Sequence, residues 1–219
     1  MDPLHFCIAA GPLAVYLLLL GVVNLRRRPF ITTGGRDAMS LGLGIVGFII
    51  VGPMELFFPE AAANNLYAAG VWVMLVVLYL LALVLIVLLM RPRLVIYNVA
   101  ADQLRPVLSD IVTELDPDAR WAGDALSLPQ LGVQLHLEPS GMFKNVQLVA
   151  AGPQQNLDGW RRLEIELTRA FRKYEGSPNP YGASLLLCGF TLAAWATYWL
   201  YENPERVMRT LESMLRQEP

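Results

Sequence analysis

Cysteine, histidine and charge are all scarce in this chain, and each scarcity closes a class of function. The two cysteines, Cys7 and Cys188, both lie inside apolar stretches. On the topology developed below they fall at different membrane depths, too far apart for a disulfide, and they read as buried small hydrophobes. The two histidines, His5 and His136, have no partners at the ligand spacings of a metal site, so no metal and no cofactor is expected. Charged residues make up only 16% of the chain, against about a quarter in soluble domains. The net charge of −2 offers no surplus of Lys and Arg to neutralise phosphates, which excludes a nucleic-acid partner. No Ser, Cys or His arrangement for a nucleophile occurs, nor a glycine loop ending in Lys-Ser or Lys-Thr, and a non-catalytic role is expected. A basic region before the first apolar stretch and a small-residue cleavage site after it are both lacking, so that stretch is not expected to be a cleaved signal peptide.

Hydrophobic residues, at 55%, are what the chain has in excess. One run, Leu66 to Met90, is uncharged and almost wholly apolar, and is closed at once by Arg91-Pro92-Arg93. As a helix it would extend about 37 Å, enough to cross about 30 Å of hydrocarbon with some tilt. Helix is the conformation such a segment must take, because hydrocarbon supplies no partner for free backbone amides. Further spans are expected at Leu4 to Leu25, about Ser40 to Phe58, and Tyr181 to Tyr201 after the punctuation of Pro178 and Pro180.

Charge orients them. Arg26, Arg27, Arg28 and Arg36 follow the first span, and Arg91 and Arg93 follow the third. The connector Pro59 to Asn65 carries no basic residue. By the positive-inside rule the arginine-bearing ends are cytoplasmic, which places both termini outside the plasma (inner) membrane.

Between Leu94 and Ser177 the composition becomes that of a soluble domain, with eight basic and eleven acidic residues. About 84 residues suffice for a modest core. Leu94 to Val99 reads as a strand, and Leu104, Val107, Leu108, Ile111, Val112 and Leu115 form one apolar helical stripe. Gly123-Asp124 suits a two-residue hairpin turn, Leu131 to Glu138 alternates with period two, and Phe143 to Ala150 supplies another strand. A helix from Leu157 to Glu175 closes the unit. The expected fold is an α-helical membrane protein of four transmembrane helices with an inserted α+β domain over 94–177, ordered β-α-β-β-β(-β)-α as a two-layer sandwich. The order from Ala101 to Tyr174 resembles in outline the double-stranded-RNA-binding module, but a net of three negative charges argues against RNA. The tail, 202–219, is amphipathic, with Val207, Met208, Leu211, Met214 and Leu215 on one side of a helix, as expected of a segment resting on the outer membrane surface or against a partner.

Few residues stand out as sites. Gly42, Gly44 and Gly47 match G-x-G-x-x-G, but inside an apolar span they serve helix packing, as does Gly189, and not dinucleotide phosphates. Glu55 is an ionisable group within a turn or two of the outer end of the second span. His5 lies near the same surface and could pair with it. His136 and Glu138 point the same way from one strand, a pair with no third ligand. Arg161, Arg162, Arg169, Arg172 and Lys173 cluster on the last helix of the soluble region, where they could lie along anionic headgroups of the inner leaflet. The expected function is that of a membrane protein whose cytosolic domain is an interaction or regulatory module, with the bilayer and another membrane protein or a second copy as partners. The alternative is a small transporter or channel subunit using Glu55.

Overall fold

The structure is a computed structural model and describes residues 3–57, 68–140, 144–153, 155–174 and 178–215; within these, the side chains at 53–57, 68–72, 140 and 211–215 are not described. It combines long apolar helices with an antiparallel sheet of six strands. In chain order the elements are α1 (Pro3–Leu25), β1 (Phe30–Thr33), α2 (Gly34–Phe57), α3 (Ala68–Leu89), β2 (Arg93–Tyr97), α4 (Ala101–Leu115), β3 (Arg120–Ala122), β4 (Ala125–Leu128), β5 (Val133–Ser140), β6 (Asn145–Ala150), α5 (Leu157–Phe171), α6 (Tyr181–Glu202) and α7 (Pro204–Leu215). The expected connector Pro59 to Asn65 lies outside the described residues.

Three helices are long and apolar enough to cross a membrane: Pro3–Leu25, Gly34–Gly52 and Tyr181–Glu202. The remaining expected span, Leu66 to Met90, is represented by α3, a helix of 22 residues whose fully described part, Val73–Leu89, is apolar but shorter than these three. The second helix begins at Gly34, six residues before the expected Ser40.

The chain divides into two compact units, one drawn from residues 1–20, 39–88 and 184–219, the other from 21–38 and 89–183. In the first, small residues do the packing. Ala9, Ala10, Ala14 and Ala196 are buried. A Cβ on Gly47 would meet the Ile8 carbonyl oxygen at 2.1 Å, and one on Gly44 the Tyr16 Cβ at 2.9 Å, so α2 crosses α1 nearly backbone to backbone. Gly42 faces Leu83, and the Tyr79 hydroxyl donates to the Gly42 carbonyl at 2.7 Å, which seats α3 on α2. On the other flank of α1, a Cβ on Gly189 would lie 2.9 Å from Leu18 Cγ and 3.1 Å from the Ala14 oxygen, and Phe6 meets Trp199 edge-on with centroids 5.4 Å apart. The helices therefore follow one another in the order α3, α2, α1, α6. Cys188 is exposed, not buried as expected, because the adjacent Gly189 takes the position that faces α1 and turns its neighbour away.

The second unit holds the sheet, ordered β1-β2-β6-β5-β4-β3 with every pairing antiparallel. The four strands after α4 arise from meander connections. Gly123 adopts φ 64° in the two-residue turn between Ala122 and Ala125, which pair across the hairpin. Alternation decides the faces: Val133, Leu135 and Leu137 of β5 and Val146, Leu148 and Ala150 of β6 are buried against Leu104, Leu108 and Val112 of α4 and Trp160, Leu163, Leu167 and Phe171 of α5. Both helices thus cover one face. One strand had no place in the expected order. Phe30–Thr33, read from sequence as part of an arginine-rich connector, adds to the sheet edge beside β2, pairing Phe30 with Tyr97 through Thr33 with Leu94.

Candidate functional site

The sheet unit contains one end of each of four long apolar helices, residues 21–25, 34–38, 89 and 181–183, and polar side chains tie the ends of α1, α2 and α6 to one another or to β2. Asn98 follows β2 at φ 65°, a left-handed conformation that Asn tolerates better than most residues. Its Nδ2 donates to the Val23 oxygen at 2.6 Å and the Arg26 oxygen at 3.2 Å. Those are carbonyls at the C-terminal end of α1, where helix geometry leaves acceptors without an intrahelical donor. Asn98 is 2% exposed, and its Oδ1 has no hydrogen-bond partner among the described residues.

Asn179 does the same work for α6. Fully buried, it donates through Nδ2 to Asn24 Oδ1 at 3.2 Å and through its amide to the Asn24 oxygen at 3.0 Å, while its own Oδ1 accepts from the Tyr181 amide at 3.2 Å. It caps the start of α6 and ties that start to the end of α1. Gly182 permits the approach, since a Cβ there would sit 3.0 Å from the Gly21 oxygen.

The first turn of α2 lies over the outer face of β2. The Tyr97 hydroxyl donates to Asp37 Oδ1 at 2.5 Å, and a Cβ on Gly34 would collide with the Arg93 side chain at 2.1 Å. This cover explains why Val95 and Tyr97 are buried although they point away from α4 and α5. Arg36, one residue before Asp37, pairs with Glu164 of α5 at 3.3 Å. Helix ends, sheet edge and α5 are in this way joined by side chains that the sequence distributes over about 155 positions, from Asn24 to Asn179.

Around this joint the basic residues stand outward. Arg26, Arg27, Arg28 and Arg91 are exposed, as are Arg161, Arg162 and Arg169 on α5 and Arg172 and Lys173 just past its end, since the helix stops at Phe171 and not at the expected Glu175. Of this second group, Arg169 pairs with Glu166 one turn away. Between α4 and α5 runs an open groove of about 680 Å³, with Ile111, Leu115 and Ala170 among its lining and Glu114, Glu166 and Arg169 supplying charge of both signs. Arg172 and Lys173 complete its lining.

The other sequence candidates are placed as follows. Glu55 falls in the last turn of α2, its side chain outside the described residues, and His5 is half-buried in the first turn of α1. From the crossing of Gly47 with Ile8 and Ala9, the end of α2 and the start of α1 run in the same direction, so both residues belong to the same end of the bundle. Gly42, Gly44, Gly47 and Gly189 all lie in close helix contacts. His136 is exposed on β5 opposite Ala125 and Val149, and Glu138 lies opposite Gln147. Among the described residues, no group of three or more His, Cys, Asp or Glu side chains comes together to hold a metal. The three buried asparagines were not among the candidates. Asn179, between Pro178 and Pro180 and just before an apolar run, carried the one usable signal, that of a helix cap. Comparison of the chain with protein-family models, with curated proteins and with solved structures finds no match.

Proposed function

We propose that this chain is a multi-pass protein of the plasma (inner) membrane, with α1, α2, α3 and α6 crossing the bilayer, both termini outside, and the sheet unit on the cytoplasmic side as a non-catalytic interaction or regulatory module of a membrane assembly. What supports this reading above all is that the ends of four apolar helices are built into the same compact unit as the sheet. A partner that binds the α4–α5 groove would sit on the unit in which Asn98, Asn179 and the Arg36–Glu164 pair hold the helix ends. The membrane part draws on exposed apolar area: Leu88 and Leu89 are each 76% exposed, and large aliphatic residues stand out on several sides of α3. Surfaces of this size need a covering medium, and lipid provides one. The arginines at the helix ends favour the cytoplasmic side for the sheet. The α5 arginines have the charge to rest on anionic headgroups there.

The test uses the full chain in its native membrane, with a photo-crosslinking side chain placed at Ile111, at Arg169 or, as a control away from the groove, at His136. The expected result is one discrete adduct from the groove positions and none from the control. Adducts that are equally diffuse at all three positions overturn the module reading.

A further inference from the structure

The segment after the last apolar helix is held more closely than a tail. A single residue, Asn203, separates α6 from α7. Its Nδ2 donates to the Trp199 oxygen at 3.3 Å, closing α6, and its carbonyl accepts from the Val207 amide at 3.2 Å, opening α7. One residue spans about 3.8 Å, so the first turn of α7 cannot leave the end of α6. That end carries Trp195, Tyr198 and Tyr201, all exposed, the ring types that settle where hydrocarbon gives way to water.

α7 itself is divided lengthwise. Val207, Met208, Leu211, Met214 and Leu215 recur at spacings that confine them to a sector of about 120° around a helix. Glu205, Arg206, Arg209 and Glu212 fall on the remainder, and Glu205 pairs with Arg209 at 3.5 Å. Met208, in the apolar sector, is 60% exposed.

We infer that α7 lies along the membrane–water interface at the end of α6 opposite Tyr181, its apolar sector sunk into the boundary between headgroups and acyl chains. The occupant of that face is lipid because the one-residue joint gives α7 no other place to start than the depth of the aromatic rings. The helix has two acidic and two basic residues, so its docking rests on apolar burial and does not require anionic lipid. This inference rests on the membrane reading above.

The experiment keeps the two apart. Full-length protein with Cys7→Ala and Cys188→Ala receives one cysteine at a time, Met208→Cys, Arg209→Cys or Leu81→Cys, each labelled with an environment-sensitive fluorophore. The labelled protein is reconstituted into phosphatidylcholine vesicles containing nitroxide lipids. Leu81 is exposed on α3 and reports insertion of the bundle. The Met208 label is expected to be quenched by a shallow nitroxide about two-fold or more beyond the Arg209 label, with aqueous iodide quenching in the reverse order. If Leu81 is quenched by a deep nitroxide while both α7 labels respond to iodide alone, the interfacial placement is overturned and the membrane reading stands. A Met208 label shielded from both nitroxide and iodide also overturns it, because protein and not lipid then covers the face. A Leu81 label that no nitroxide reaches overturns the membrane reading, and the inference with it.

Discussion

At the scale of single residues, close packing and buried amides carry the structure, and both can be tested by small changes. Gly47→Ala places a methyl where only 2.1 Å separates the Cβ position from the Ile8 oxygen, so the helices must part. A loss of about 2 kcal/mol or more is expected, since backbone cannot yield as a side-chain tip can. Gly11→Ala, at a site with nothing within 4 Å, is expected to be neutral or slightly stabilising. Thermal unfolding in detergent, read as the difference in midpoint between the two variants, checks the pair. Asn98→Ala removes two hydrogen bonds and puts a Cβ-bearing residue of poor left-handed tolerance at φ 65°, a combined cost of about 2–4 kcal/mol. Asn98→Gly loses the same bonds but keeps the backbone unstrained, and its midpoint should fall between those of wild type and Asn98→Ala. Equal midpoints for the two variants would show that backbone conformation contributes nothing there. The glycines of the apolar spans could be recognised from the chain as packing residues by type. Which surface each one meets, Tyr16 for Gly44 or Leu83 for Gly42, depends on a crossing geometry that no local pattern contains.

At the scale of elements, the stripe on α4 and the alternation on β5 were legible because burial on one side imposes a period of 3.6 or 2 directly on the residues. β1 was not. It has four residues, follows three arginines, and pairs with a strand more than sixty positions later, so neither length nor periodicity marks it. Its contribution yields a prediction. A fragment limited to 94–177 would expose the β2 edge from Leu94 to Tyr97, and this long apolar edge should make the fragment self-associate. Joining residues 29–34 to the fragment through a flexible linker is expected to restore a monomer. Sedimentation of the two fragments compares them directly, and a monomeric 94–177 would mean that β1 is dispensable for covering the edge.

At the scale of the whole molecule, the expected orientation follows from Arg26, Arg27, Arg28 and Arg91, all exposed at helix ends. Single cysteines at Arg27 and at His136, in a chain lacking Cys7 and Cys188, should react with a membrane-impermeant maleimide only after the cells are opened. A cysteine at Arg209, on the polar side of α7, should react in intact cells. Labelling of the His136 position in intact cells reverses the topology. Hydrophobic runs, their flanking charges and the strand and helix periods are properties of consecutive residues, and these the chain determines by itself. The use of a connector as a sheet edge, the three asparagines that lock helix ends, and the one-residue joint that aims α7 were decided only by tertiary structure. Each depends on a partner brought from elsewhere along the chain, or on a direction in space, and a pattern of neighbours in sequence encodes neither.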